Sequence, residues 1–202
     1  MRILILLIVS LSTWLSAIAQ KPNVVLIMAD DLGYHDLGCY GHPKIKTPVL
    51  DRLAKHGVKL TGFYAGATVC TPSRIALMTG SYPTRLGWSK GVVGHILSTD
   101  HGLSPKALTM AEHFKSAGYK TAISGKWHLG DRPSFRPHRQ GFDLTFYINK
   151  SNNQTDELWQ ADKLLEKPFK NRFLTEKFTH EAISFIQSNK DKPFFRYLPY
   201  SA

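Results

Sequence analysis

The sequence predicts an α/β fold in which a mixed, largely parallel sheet is sandwiched by helices. Three observations carry this. Val24-Val25-Leu26-Ile27-Met28 is a short unbroken apolar run, the pattern of a strand buried on both faces of a parallel sheet. Tyr119 to Ser124 reads as a second interior strand, and Pro193-Phe194-Phe195-Arg196-Tyr197-Leu198 starts another. Between these runs lie segments with helix caps and stops, and strands that alternate with helices build parallel sheets rather than stacked hairpins. The 202 residues suffice for one domain with a core, and a composition 43% apolar and 11% aromatic excludes a disordered chain.

In chain order, the first 19 residues read as a secretory signal. Arg2 precedes an apolar run from Ile3 to Val9 that continues to Leu15, and Ala17-Ile18-Ala19 forms a small-x-small cleavage site before Gln20. Ser10, Ser12, Thr13 and Ser16 interrupt the run, which favours cleavage over a membrane anchor. Residues 20–202 are therefore expected to be exported to a periplasmic, extracellular or lysosomal space, without membrane attachment. Two cysteines in such a compartment, Cys39 and Cys70, normally suggest a disulfide. A formal net charge of +11 favours anionic substrates. Lys and Arg are scattered rather than gathered into an arm or helix stripe, which argues against nucleic acid as a partner.

The first strand runs into Ala29-Asp30-Asp31-Leu32-Gly33. Adjacent carboxylates directly after a buried strand are costly unless paired or metal-bound, and open α/β sheets place their sites at such strand ends. Hard oxygen ligands favour Ca²⁺ or Mg²⁺; the plain alternative is an acidic turn facing water. Thr47-Pro48 to Gly57 has the cap, proline and glycine stop of a helix, with Val49, Leu50 and Leu53 on one face. Val58 to Tyr64 then reads as a strand leading to the cysteine loop. Thr71 as N-cap and Pro72 at the first helical position start a helix through Ile75 to Met78 that Gly80 stops. Cys70 thus falls just outside a helix N-terminus, where free N–H groups and the dipole favour an anion, and Arg74 adds a guanidinium fork. This places a nucleophile beside an anion site; the alternative is a capped helix next to a buried or disulfide-bonded cysteine.

Tyr82 to Ser104, rich in Gly, Ser and His without periodicity, reads as a long loop, with His95 and His101 as substrate contacts or solvated loop residues. Thr109-Met110-Ala111-Glu112 is a capping box opening a helix with Met110, His113, Phe114 and Ala117 on its buried side and Gly118 as its stop. The strand that follows delivers Gly125-Lys126-Trp127-His128-Leu129-Gly130, in which alternation puts Lys126 and His128 on one side and Trp127 on the other. Lys126 is then a cation for an oxyanion and His128 an imidazole able to hold or take a proton. Asn153 to Pro168 reads as a polar connection. Thr175 to Ser188 spaces Phe178, Ala182, Phe185 and Ile186 as an amphipathic helix, and Arg196 interrupts the last apolar run, pointing toward a pocket or marking an edge. Asn149-Lys150-Ser151 and Asn153-Gln154-Thr155 are glycosylation sequons.

Cys70-Thr71-Pro72-Ser73-Arg74, followed by a small-apolar helix and Thr79-Gly80, resembles the signature of formylglycine-dependent type I sulfatases. Gly125-Lys126-Trp127-His128-Leu129-Gly130 resembles their second signature, and Gly38-Cys39-Tyr40-Gly41-His42 with the Thr-Pro helix is similar to the arylsulfatase and N-acetylgalactosamine-sulfatase branch. The resemblance implies an alkaline-phosphatase-like catalytic domain that hydrolyses an aryl or carbohydrate sulfate ester. It implies that a formylglycine-generating enzyme oxidises Cys70 to Cα-formylglycine, whose hydrate attacks sulfur, so that Cys39 and Cys70 are not disulfide-bonded. Asp30, Asp31 and the modified Cys70 would hold a divalent metal, Ca²⁺ ahead of Mg²⁺. Arg74 and Lys126 would stabilise the hydrate and the developing charge, and His128 would assist the hydrate or accept its proton on release. Ser151 would lie near the substrate, although Tyr147 and Asn149 stand where many relatives carry Gly and Pro. The resemblance runs from Lys21 to Ala202 and stops before the family's Pro-His pair, Asp-Asn metal pair and second lysine. The 202 residues are accordingly expected to be the N-terminal part of a longer enzyme, inactive and poorly stable by themselves. Two other functions fit the composition: a phosphate or phosphonate ester hydrolase of the same superfamily, and a noncatalytic binder of sulfated glycans.

Overall fold

The computed structural model describes residues 20–89, 91–93 and 100–201. The signal segment, residues 1–19, and His95 lie outside these. Strands β1 (Val24–Met28), β2 (Lys120–Lys126), β3 (Leu144–Ile148), β4 (Leu158–Gln160), β5 (Lys163–Glu166) and β6 (Phe194–Pro199) form one sheet in the order β1-β6-β2-β3-β4-β5. The pairs β1–β6, β6–β2 and β2–β3 are parallel, while β4 and β5 are antiparallel additions at one side. The sheet is thus mixed and largely parallel, as the alternation of strands and helices predicts.

Side-chain alternation along β6 distributes the core over both faces. Phe195 and Tyr197 join Ile75 and Met78 of helix α2 (Cys70–Thr79), Ala111 of α3 (Met110–Ser116), Trp127 and Phe142. Phe194 and Leu198 point the other way, to α4 (Leu174–Asn189), where Leu174, Phe178, Ala182 and Phe185 recur at helical spacing and are buried. The capping box of α3 forms as expected: Thr109 accepts from the Glu112 N–H while Glu112 accepts from the Thr109 N–H. Of its four expected inward residues, Met110 and Phe114 are half-buried, but His113 and Ala117 face solvent; Ala111 takes the buried position.

Four expectations are corrected. β1 is not buried on both faces: it pairs only with β6, at the edge of the sheet among the described residues, and leaves Val25 44% and Ile27 58% exposed. Val58 to Tyr64 is not a strand, because no described strand lies beside it; two of its carbonyls instead accept phenol hydroxyls, Thr61 from Tyr34 and Leu60 from Tyr40. Helix α1 (Pro48–His56) forms between its cap and stop residues, yet Val49 and Leu53 remain exposed. Asn153 to Pro168 is not mere connection but holds the β4–β5 hairpin, whose turn passes through Ala161 at φ 49°. Asn149 is buried, which leaves no room for a glycan, whereas Asn153 is exposed.

Candidate active site

The site lies where the parallel strands end. β1 stops at Met28, whose carbonyl accepts the Tyr200 N–H, and the chain turns through Asp30 and Asp31, the latter in the left-handed region at φ 54°. α2 begins at Cys70 itself, with Val69 extended as the N-cap, so Cys70 is the first helical residue rather than the residue before the helix. Thr71 is not the cap. Its hydroxyl donates to the His128 carbonyl at 3.0 Å and accepts the Val93 N–H at 3.2 Å, tying the helix start to the chain just beyond β2. Gly80, at φ 63°, ends the helix as expected.

β2 carries Lys126 to the same place. The residue before it must be glycine: Gly125 has φ 143°, and a Cβ there would sit 1.9 Å from the Pro199 carbonyl oxygen of β6. Lys126 is fully buried, and its ammonium reaches Asp30 Oδ2 at 2.5 Å, Ser151 Oγ at 2.7 Å and Cys70 Sγ at 3.3 Å. Arg74, also fully buried, donates from Nη2 to Asp30 Oδ1 at 3.1 Å and from Nη1 to the Lys126 carbonyl at 2.6 Å. Cys70 Sγ lies 3.9 Å from Asp30 Oδ1. Both oxygens of Asp30 therefore face a cation. Burial pushes its carboxyl upward, but the hydrogen bond from Lys126 and the charges of Arg74 and Lys126 outweigh this and hold it below the usual range.

His128 departs from simple alternation. β2 ends at Lys126, and His128 takes φ 59°, so its ring turns to the Val93 carbonyl, 3.1 Å from Nε2. A carbonyl only accepts, so Nε2 carries the proton and Nδ1 presents a lone pair, which has no protein partner. Burial and the positive charge of Lys126 lower the imidazole to about 4, so His128 is neutral at pH 7. Trp127 does point away from the site, packing edge-on against Phe142 and donating to the Phe135 carbonyl at 2.8 Å.

One ligand atom each from Asp30, Asp31 and Cys70 lies within 4.8 Å of the others. Two carboxylate oxygens suit a hard dication; the thiol does not, whereas an oxygen at the same position would complete a hard donor set. Both cysteines are free thiols.

The sulfatase family model matches residues 22–202. The chain belongs to the sulfatase family. It is 49% identical to human arylsulfatase A (Homo sapiens) over 68% of this chain and 27% of that protein. It is 36% identical to N-acetylgalactosamine-6-sulfatase of Mus musculus over 96% of this chain and 42% of that protein. Among solved structures, Ps i-CgsB in complex with k-i-k-neocarrahexaose superposes with a TM-score of 0.78 at 33% identity, over 91% of this chain and 45% of that one. The chain thus spans less than half the length of each of these proteins. Sulfatases generally use a metal ion and a formylglycine, and the acidic grouping at Cys70 is compatible with both.

Within this sulfatase chain, Asp30, Cys70, Arg74, Lys126 and Ser151 form one contact network, with Asp31 beside it and His128 buried behind it. Not every candidate joins: His101 is exposed on the wall of a separate cavity of about 460 Å³ with Leu86, Trp88 and Phe135. Two residues beside the network escape sequence reasoning. Thr71 has the residue type of a cap, and only the tertiary structure reveals its two long-range bonds. Tyr197, buried in β6, abuts Arg74 and donates to the Met28 sulfur at 3.2 Å; nothing in an apolar strand run marks it as a neighbour of the site.

Proposed function

We propose that this chain carries the nucleophile-bearing part of an exported hydrolase that cleaves a sulfate ester to an alcohol or phenol and inorganic sulfate. The observation that supports it most is the placement of Cys70 at a helix start, 3.3 Å from the Lys126 ammonium and beside Asp30, with Arg74 one turn further on. A thiolate attacking sulfur would leave a stable thiosulfate-like ester, so an unmodified cysteine suits this chemistry poorly. Conversion of Cys70 to formylglycine by a formylglycine-generating enzyme supplies a hydrated aldehyde, whose second hydroxyl provides the route for releasing sulfate. Asp30, Asp31 and the modified Cys70 would hold Ca²⁺, or Mg²⁺ in its place, and the ion would polarise sulfate oxygens.

The remaining steps belong to the chain's own side chains. Lys126 donates to the atom at the tip of residue 70 and neutralises charge developing there. Arg74 fixes Asp30 and the Lys126 carbonyl together, so the carboxylate and the ammonium keep their positions as the substrate arrives. Neutral His128, with its lone pair on Nδ1, accepts a proton when the intermediate collapses. Ser151, on the Lys126 ammonium, orients the sulfate end of the substrate. One structural relative is described in complex with k-i-k-neocarrahexaose and another with its substrate D-glucosamine-2-N,6-O-disulfate, which makes carbohydrate sulfates the first substrates to try. The reading is tested on the full-length protein by mass spectrometry of the peptide spanning Cys70 together with turnover of an aryl sulfate against the matching aryl phosphate. Formylglycine and sulfate turnover are the expected results. An intact thiol with no turnover would favour a noncatalytic glycan binder, and preference for phosphate would favour a phosphoesterase.

A further inference from the structure

Arg196 breaks the apolar run of β6 and takes no part in the site at the strand ends. Its neighbours Phe195 and Tyr197 enter the core with α2 and α3, so Arg196 points to the opposite face, under α4. It is 2% exposed. Its guanidinium carbon stands 5.3 Å from the centre of the Phe185 ring, Nη2 donates to Ser124 Oγ, and Nε has no partner. Among the described residues no carboxylate forms an ion pair with it; Glu181 acts on it only at longer range. A guanidinium buried with an unmet donor is costly, and what it lacks is an anion.

A cavity of about 140 Å³ opens beside it, between α4, the first residues of β3 and the last residue of β4. That is far above the ~15 Å³ that a single water needs. Its walls bring Glu181, Ser184 and Gln160 together with the rings of Phe146 and Phe185, around Arg196. A dianion such as sulfate would meet one cation and one anion here. A monocarboxylate bearing hydroxyl groups fits both charges: its carboxylate pairs with Arg196, its hydroxyls donate to Glu181 and to the polar wall, and its C–H surface lies on the aromatic rings.

We propose that this cavity is a second binding site, separate from the Cys70 centre, for a small hydroxylated carboxylate of the sugar-acid class. Titration calorimetry and thermal melting of the purified protein with D-glucuronate, D-glucose and inorganic sulfate test it. Glucuronate is expected to bind saturably and raise the melting temperature, while glucose and sulfate do neither. Arg196→Gln should weaken glucuronate binding by about tenfold or more. Glu181→Gln, at an exposed helix position that tolerates substitution, should weaken glucuronate and let sulfate bind. The proposal is overturned if glucuronate does not bind saturably, if glucose or sulfate binds the unaltered protein equally well, or if Arg196→Gln retains full affinity. Should Arg196→Gln fail to fold, unchanged glucuronate affinity in Glu181→Gln overturns it equally.

Discussion

Lys126 spends all three N–H donors of its ammonium inside the site, on Asp30, Ser151 and Cys70. Methionine at this position keeps most of the side-chain volume and removes every donor. In the full-length protein, Lys126→Met is therefore expected to lower kcat/KM on an aryl sulfate by about 10²–10³-fold, the usual loss on deleting one preorganised donor, while circular dichroism stays unchanged. Retained activity would remove Lys126 from the chemistry. His128 gives a prediction about stability. Its folded-state value of about 4 lies below the 6.5 of the free imidazole, so between these values the unfolded chain binds a proton that the folded chain does not. Stability from this group is full above pH 6.5 and is lost as pH falls toward 4, by about 3 kcal/mol in total. Urea unfolding at pH 7.5 and 4.5 should display the loss, and His128→Gln should remove most of it. An equal loss in both proteins would assign the pH dependence to other groups.

At the scale of elements, the contact between β2 and β6 depends on one missing side chain. Gly125→Ala would drive a Cβ into the Pro199 carbonyl, a backbone atom that cannot rotate away, at a φ that L-residues avoid. The expected cost is about 3 kcal/mol, at the upper end for overpacking. It should appear as a lower urea midpoint with an unchanged slope; a midpoint like that of the unaltered protein would mean that the two strands separate easily. Thr71→Val tests the tie between α2 and the chain beyond β2. It leaves the buried His128 carbonyl and Val93 N–H without their partner, at about 2 kcal/mol, and loosens the mounting of residue 70. Local grammar made much of this level legible. The capping box at Thr109, the glycine stop at Gly80 and the spacing of Phe178, Ala182 and Phe185 each have a cause within one helix. Where the cause lies in a distant partner, the sequence misleads: Thr71 looks like a cap because its tertiary partners are 22 and 57 residues away. Val58 to Tyr64 looks like a strand because propensity says nothing about whether a neighbouring strand exists.

Across the whole molecule, the site joins segments that are remote in sequence: Asp30 and Lys126 are 96 residues apart, Asp30 and Arg74 are 44, and Lys126 and Ser151 are 25. The two motifs that supply Cys70, Arg74, Lys126 and His128 were legible because each resembles a sulfatase signature; a lone cysteine by a capped helix or a lysine two residues before a histidine is commonplace. Their convergence was not, since it follows from β1, β6, β2 and β3 running parallel and ending together. Such a centre exists only in the folded chain, and this governs how a metal must act. A dication held by Asp30, Asp31 and residue 70 binds the folded state and not the unfolded one, so it adds stability as RT ln(1 + [L]/Kd). At a hundredfold excess over Kd this amounts to about 2.7 kcal/mol, which for a chain of this length corresponds to a rise of about 5–10 °C in melting temperature. Ca²⁺ added to chelator-treated protein should produce that rise. Asp31→Asn should abolish it while leaving the melting temperature without metal nearly unchanged, because Asp31 makes neither of the ion pairs that hold Asp30. A melting temperature indifferent to Ca²⁺ and to Mg²⁺ would show that Asp30 serves Lys126 and Arg74 alone, and the proposed metal would have to be abandoned.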